Sequence, residues 1–324
     1  MQHAKHVFLE LNEKLPREMY GLHDIYMPLD PPNRREIPVF KPSDRVGSPV
    51  VKIDPAKIAG VVYSDRYDGI KGFTELDDST LQIGANVCGF LISEMKAGRI
   101  PKTFLPLQSG VGNVANAVLY GLAAAKEIPR FEMYTEVIQD AVIELMKMDR
   151  CKFGSTCALT VSDKTESEIL HNLDFFRERL VLRPSEISNS PEVIRTRMMN
   201  GIGGSGDFTR NGYISIFSCP SITKGGKISN IVPMCSHIDH TEHSVDVIIT
   251  EQGVADLRGL DAVQRAESII ANCAHPSYRP LLQEYLKLGK SGNIPHSLEA
   301  SLAFHTSFKA TGDMHDVDWS RYGF

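Results

Sequence analysis

Apolar positions along the chain recur at two periods, and their alternation sketches a fold. Over residues 1–20, Val7, Leu11 and Leu15 stand four apart, which predicts a helix ended by Pro16. From Met27 to Pro55 come Pro28, Pro31, Pro32, Pro38, Pro42 and Pro49, which predict an extended connection with short edge strands. Lys57–Tyr63 (KIAGVVY) is rich in β-branched residues and reads as a strand. Helical periodicity returns from Asp77 to Ala97 through Leu81, Ala85, Cys88 and Ile92. KTFLPL then reads as a strand, Val114–Lys126 as a helix, Phe131–Tyr134 as a strand and Ile138–Met148 as a helix. Strands alternating with helices predict an α/β domain with a mainly parallel sheet. In the last third Tyr213–Phe217, Ile228–Met234 and Val245–Ile249 are expected strands. Ala262–Asn272 and Leu281–Leu288 are expected helices, and the polar stretch from Thr306 a loose tail.

Composition narrows the class. Of 324 residues, 42% are hydrophobic and 23% charged, the balance of a globular protein large enough for one big or two ordinary domains. A net charge of −5 gives no electrostatic reason to expect nucleic acid or an acidic membrane as partner. The cysteines (Cys88, Cys151, Cys157, Cys219, Cys235, Cys273) form no CxxC pair, which suits reduced thiols rather than a disulfide framework. No apolar run approaches the roughly 20 residues of a membrane span. The first residues lack an apolar core and carry Glu10 and Glu13, so neither a secretory signal nor a mitochondrial presequence is expected there.

Leu105–Val118 reads LPLQSGVGNVANAV. Gly110, Gly112 and Ala115 match G-x-G-x-x-A, with Glu132 about twenty residues on, a pattern open to a dinucleotide reading. Against that reading, Pro106 interrupts the leading strand, and Gln108 and Ser109 are polar where a buried strand should be apolar. On any reading, a glycine turn running into a helix start exposes N–H groups suited to a phosphate or an oxyanion, unless it is simply a tightly packed turn.

Glu136 in FEMYTEVIQD follows an aromatic strand, with Thr135 as the expected N-cap of a helix; read alone, it is an acidic group in a first helical turn. Met198–Phe208 holds Gly201, Gly203, Gly204 and Gly206, without the Lys-Ser/Thr pair of a P-loop. Lys224 and Lys227 in SITKGGKIS are candidate phosphate contacts. His237, Asp239, His240, Glu242 and His243 have the look of a metal site, but their flanks read as strands, which favours a hydrogen-bonding loop and no metal. Glu251 in TEQGVADL ends a strand with a carboxylate.

Together LPLQSGVGNVANAV, FEMYTEVIQD, EISNSPEV, MMNGIGGSGDFTRN, KGGKISNIVPMCSHIDHTEH and TEQGVADLRGL resemble, in this order, the acetyl-CoA hydrolase/transferase family, which includes succinyl-CoA:acetate CoA-transferases. The resemblance implies two similar α/β domains, the first incomplete, with residues 1–100 a remnant of the N-terminal domain and linker and 101–324 the C-terminal catalytic domain. It implies that Glu136 becomes a glutamyl-CoA thioester, that Val111 and Gly204 give N–H groups to an oxyanion hole, and that Asn189 and Glu251 are polar groups of the active site. Gln108, Ser109, Gly110, Gly112, Asn113, Asn200 and Lys224 would contact coenzyme A. No permanently bound cofactor is implied. Coenzyme A enters as substrate with acyl-CoA and a small carboxylate, in a homodimer of cytoplasmic or mitochondrial location.

Two departures set expectations of their own. Family members carry a further region before the position matching Met1, and a stretch of strand residues between Arg195 and Met198. Their absence leaves open a truncated product without turnover, and acetyl-CoA hydrolysis, in which water intercepts an intermediate of the same chemistry, stands beside CoA transfer.

Overall fold

The structure, a computed structural model, describes residues 3–16, 19–67, 76–188, 198–200, 206–235, 238, 240–289 and 295–322. The chain divides into two compact units, one of Met1–Thr74, Thr103–Gly110 and Ile128–Met198, the other of Glu75–Lys102, Val111–Glu127 and Met199–Phe324.

In the first unit, β1 (Val7–Asn12) and β2 (Ile58–Ser64) form a parallel pair. The helix expected over residues 1–20 is therefore a strand. A spacing of four fits a period of two as well as one of 3.6, and Val7, Leu9 and Leu11 alternate along the pleat. The pair is thinly covered: Phe8, Val62 and Tyr63 are exposed.

The heart of this unit is a parallel run in the order β3 (Leu107–Gln108), β4 (Phe131–Tyr134), β6 (Cys151–Thr156) and β8 (Leu180–Leu182). KTFLPL contributes only its last residue to β3, because Phe104 turns left-handed (φ 64°) and Pro106 lacks an N–H. A second parallel pair joins β5 (Val137–Gln139) to β7 (Ala158–Thr160). The helix Asp140–Lys147 buries Ala141, Val142, Ile143, Leu145 and Met146. It comes so close to β6 that a Cβ on Gly154 would lie 2.7 Å from Met146 Cε and from Ile138 Cδ1.

The proline-rich segment is extended and anchored by a buried ion pair between Arg183 and Asp24. Arg183 also donates to Ser155 Oγ (2.8 Å), Pro42 O (3.2 Å) and Asp44 O, while Asp24 accepts the Gly47 N–H at 2.7 Å. Every strong group of the pair thus has partners, the condition under which a buried pair is tolerated.

In the second unit the helix Asp78–Lys96 starts at Asp77, whose carboxylate accepts the Thr80 N–H at 2.7 Å. It packs on the helix Asn113–Ala124 closely enough that a Cβ on Gly84 would meet Ala117 O at 2.7 Å. Beside β9 (Met198–Asn200) runs β10 (Gly212–Ser218). The antiparallel pair β11 (Ile222–Thr223) and β12 (Ile228–Ser229) is much shorter than the strand expected to Met234. β13 (Val247–Thr250) lies parallel to β10 and antiparallel to β14 (Gly253–Asp256).

The stretch from Thr306 is not a loose tail. Residues Ala303–Thr311 are helical, and Met314 and Trp319 are buried with Tyr278, Tyr285 and Phe304 in an aromatic core. Few apolar residues, spaced by turns, give no period to read, yet two large side chains suffice to dock the segment. All six cysteines are free. No described helix is long and apolar enough to cross a membrane.

Candidate functional site

Glu136 follows the buried end of β4 but does not open a helix. Residues 135–136 bend into β5, and the helix begins only at Asp140, with Gln139 as N-cap. Thr135 caps nothing: its N–H is taken by Ser155 O (2.9 Å) and its hydroxyl donates to Ser109 O (3.1 Å). The Glu136 carbonyl accepts from Cys157 N (3.1 Å), Ala158 N (3.2 Å), Thr156 Oγ1 (2.7 Å) and Cys157 Sγ (3.1 Å). Its backbone is therefore fixed to the turn between β6 and β7. The side chain is half-buried, and among the described residues no group bonds to its carboxylate. Burial, and then the charge of Glu136, push the neighbouring Cys157 thiol above its ordinary value.

The glycine loop reaches the same bend. Gln108 and Ser109 are buried although polar; the Gln108 amide donates to Ser109 O at 3.3 Å, and its Oε1 is left without a partner among the described residues. Gln139 Nε2 donates to Gly110 O at 2.9 Å. Gln108, Ser109, Gly110 and Glu136 are thus drawn together within the first unit by bonds through Thr135 and Gln139. Val111, Gly112 and Asn113 belong to the second unit. Val111 is exposed, and no described acceptor takes its N–H. Gly112 holds φ 122°, a conformation that favours glycine, and Asn113 opens the next helix.

Glu251 stands in the turn between β13 and β14. Its carboxylate accepts the Ser221 hydroxyl, the Ser221 N–H (2.8 Å) and the Gln252 amide (3.0 Å). Burial raises its pKa, but these donors more than offset that, and the carboxyl ends below its ordinary range. The same charge, after burial, pushes the Cys219 thiol up to about 11. Asn86 Nδ2 donates to Thr250 O at 2.8 Å and so ties the Asp78–Lys96 helix to this turn. Ser221, Gln252 and Asn86 escaped the sequence reading as partners of this turn: Ser221 and Asn86 are far from Glu251 along the chain, and the motifs that contain Ser221 and Gln252 were read for Lys224, Lys227 and Glu251 alone.

Lys224 lies on the turn between β11 and β12, with its ammonium 5.5 Å from the Phe308 ring centroid. Asn189 and Gly204 lie outside the described residues, as do His237, Asp239 and the side chain of Asn200. Among the described residues no group of three or more His, Cys, Asp or Glu side chains is placed to hold a metal ion.

Residues 188–286 match the acetyl-CoA hydrolase/transferase C-terminal domain. Over 337 residues the chain is 47% identical to the propanoyl-CoA:succinate CoA transferase of Escherichia coli, covering 96% of this chain and 68% of that protein. It is 43% identical to the succinyl-CoA:acetate CoA-transferase of Clostridium kluyveri (97% and 64% covered) and 36% identical to the acetyl-CoA hydrolase of Schizosaccharomyces pombe (98% and 68%). The chain thus spans about two thirds of the length of these relatives. A solved 4-hydroxybutyrate CoA-transferase of Porphyromonas gingivalis shares its fold, with a TM-score of 0.59 at 24% identity over 88% of this chain and 67% of that one.

Proposed function

The chain belongs to the acetyl-CoA hydrolase/transferase family, and from that premise we propose that it moves coenzyme A between an acyl-CoA and a small carboxylate through Glu136. The observation that carries this reading is the Glu136 bend: a backbone held by four donors under a carboxylate that meets no described partner.

A Glu136 oxygen attacks the thioester carbonyl of acetyl-CoA or succinyl-CoA. The tetrahedral intermediate collapses to an acyl-glutamyl anhydride and CoA thiolate. The thiolate then attacks the glutamyl carbonyl and expels the free carboxylate, leaving a glutamyl-CoA thioester. An incoming carboxylate such as acetate reverses the sequence with its own acyl group. Each intermediate puts charge on a carbonyl oxygen, the task proposed for the N–H groups of Val111 and Gly204; one such donor is worth about 3–4 kcal/mol. The glycine loop, Asn113, Asn200 and Lys224 hold coenzyme A, while Asn189 and Glu251 orient the reacting groups. Acetyl-CoA hydrolysis, the activity named for the yeast relative, is the same chemistry with water as acceptor.

Intact mass spectrometry after incubation with acetyl-CoA tests the proposal. A CoA-sized adduct is expected on the native chain and not on Glu136→Ala. A folded native chain that gains no adduct overturns it.

A further inference from the structure

Three successive residues of the turn that carries Lys224 have positive φ. Lys224 has φ 50°, Gly225 φ 64° and Gly226 φ 89°, and the Lys227 N–H closes it on Lys224 O at 3.4 Å. Gly225 and Gly226 take such angles readily; a lysine does not, and it persists there only where the surroundings over-determine it. The β11–β12 pair fixes the two ends of the turn. Beyond the strands it is tied at two further points: the Tyr278 hydroxyl donates to Gly226 O at 2.7 Å, and the Met314 N–H to Lys227 O at 3.0 Å.

Tyr278 is itself positioned. Its buried ring stacks on His315, with centroids 3.9 Å apart and planes at 26°. His315 is gripped at both nitrogens, Nδ1 by Asp313 (2.9 Å) and Nε2 by the Ser277 hydroxyl (3.0 Å). Burial, then the Asp313 charge, push the Tyr278 phenol up to about 12, so it remains a donor at neutral pH. The outcome of this chain of contacts is a rigid turn that exposes two lysines, Lys224 and Lys227, neither in a salt bridge among the described residues. Simple packing does not require a strained lysine at the tip of such a turn.

We infer that Tyr278, steadied by His315, is a positioning residue that shapes the Lys224–Lys227 turn for a phosphate group of the acyl-CoA substrate. This rests on the reading of the chain as acting on acyl-CoA. Two thioesters separate a phosphate-directed role from general packing: acetyl-CoA, and acetyl-pantetheine, which lacks the phosphates. Tyr278→Phe keeps the ring and removes one hydrogen bond. It is expected to raise KM for acetyl-CoA roughly three- to tenfold, with kcat within about twofold of the native value. The kcat/KM for acetyl-pantetheine is expected to stay unchanged. His315→Ala, which takes away the stacking partner together with its bonds to Asp313 and Ser277 but leaves the Tyr278 hydroxyl in place, shifts the same constants in the same direction, and stands in should Tyr278→Phe fold poorly. Equal losses on both thioesters, or an unchanged KM for acetyl-CoA, overturn the inference. Calorimetry with coenzyme A alone separates it from the proposed function. A native chain that binds CoA without turnover fails that function, yet weaker binding by Tyr278→Phe still supports the positioning role and unchanged binding overturns it. A native chain that binds no CoA overturns both.

Discussion

At Glu136 the backbone is fixed and the carboxylate meets no partner among the described residues, whereas at Glu251 the carboxylate itself is tied down. The first residue has four donors on its main-chain carbonyl; the second has Ser221 and Gln252 on its side-chain oxygens. A nucleophile needs a defined origin and unengaged lone pairs, and among the described residues the Glu136 arrangement fits the proposed role better than that of Glu251. A carboxylate already accepting three hydrogen bonds is held in its ionised form and is a poor attacker, but a good fixed charge for orienting neighbours.

Experiments that break this contrast fall in a clear order. On the proposed nucleophilic role, Glu136→Ala should lower turnover about a thousandfold or more, since loss of a covalent nucleophile has effects of that order; steady-state acyl transfer reads it. Arg183→Met strikes the ground beneath Glu136 by leaving Asp24 buried without its cation. It should cost about 3–5 kcal/mol of stability in urea unfolding, while activity per folded molecule falls far less than in Glu136→Ala. Thr156→Val removes one of the four donors on the Glu136 carbonyl and should cost about 1 kcal/mol. It should also slow adduct formation in single-turnover mass spectrometry, without loss of the adduct.

Ser221→Ala tests the other side through pH. The Glu251 carboxyl titrates below its ordinary 4.5 in the folded chain. Its contribution to stability is therefore present above the unfolded-state value and lost as pH falls through the folded one. Without the Ser221 hydroxyl, burial weighs more, and the acid limb of a stability profile should move to higher pH. A superimposable acid limb would mean that Glu251 owes its low value to some other group.

How far the chain can be read from its pattern varies by region for physical reasons. The helices Asp78–Lys96 and Ala262–Asn272 were legible because apolar periodicity and an aspartate cap agree at each. β1 was misread because positions 7, 11 and 15 suit either period. The bend at Glu136 was misread because a threonine before an acidic residue normally signals a helix start, and here the Thr135 hydroxyl is used across the sheet by Ser109. Residues 151–185, with β6, β8 and Arg183, gave no secondary-structure reading. Their roles depend on partners such as Asp24, more than 150 positions away. The order of the motifs carried the family, yet no motif reveals that Ser221 holds Glu251.

The bonds from Thr135 to Ser109 and from Gln139 to Gly110 bear on how such proteins can be rebuilt. Loop 105–110 interlocks with bend 134–139, which carries Glu136, so the two form one transplantable cassette. A chimaera that takes the loop from a relative and keeps the native bend inherits half of a matched pair. Only exchanges that carry both halves preserve the seat of Glu136.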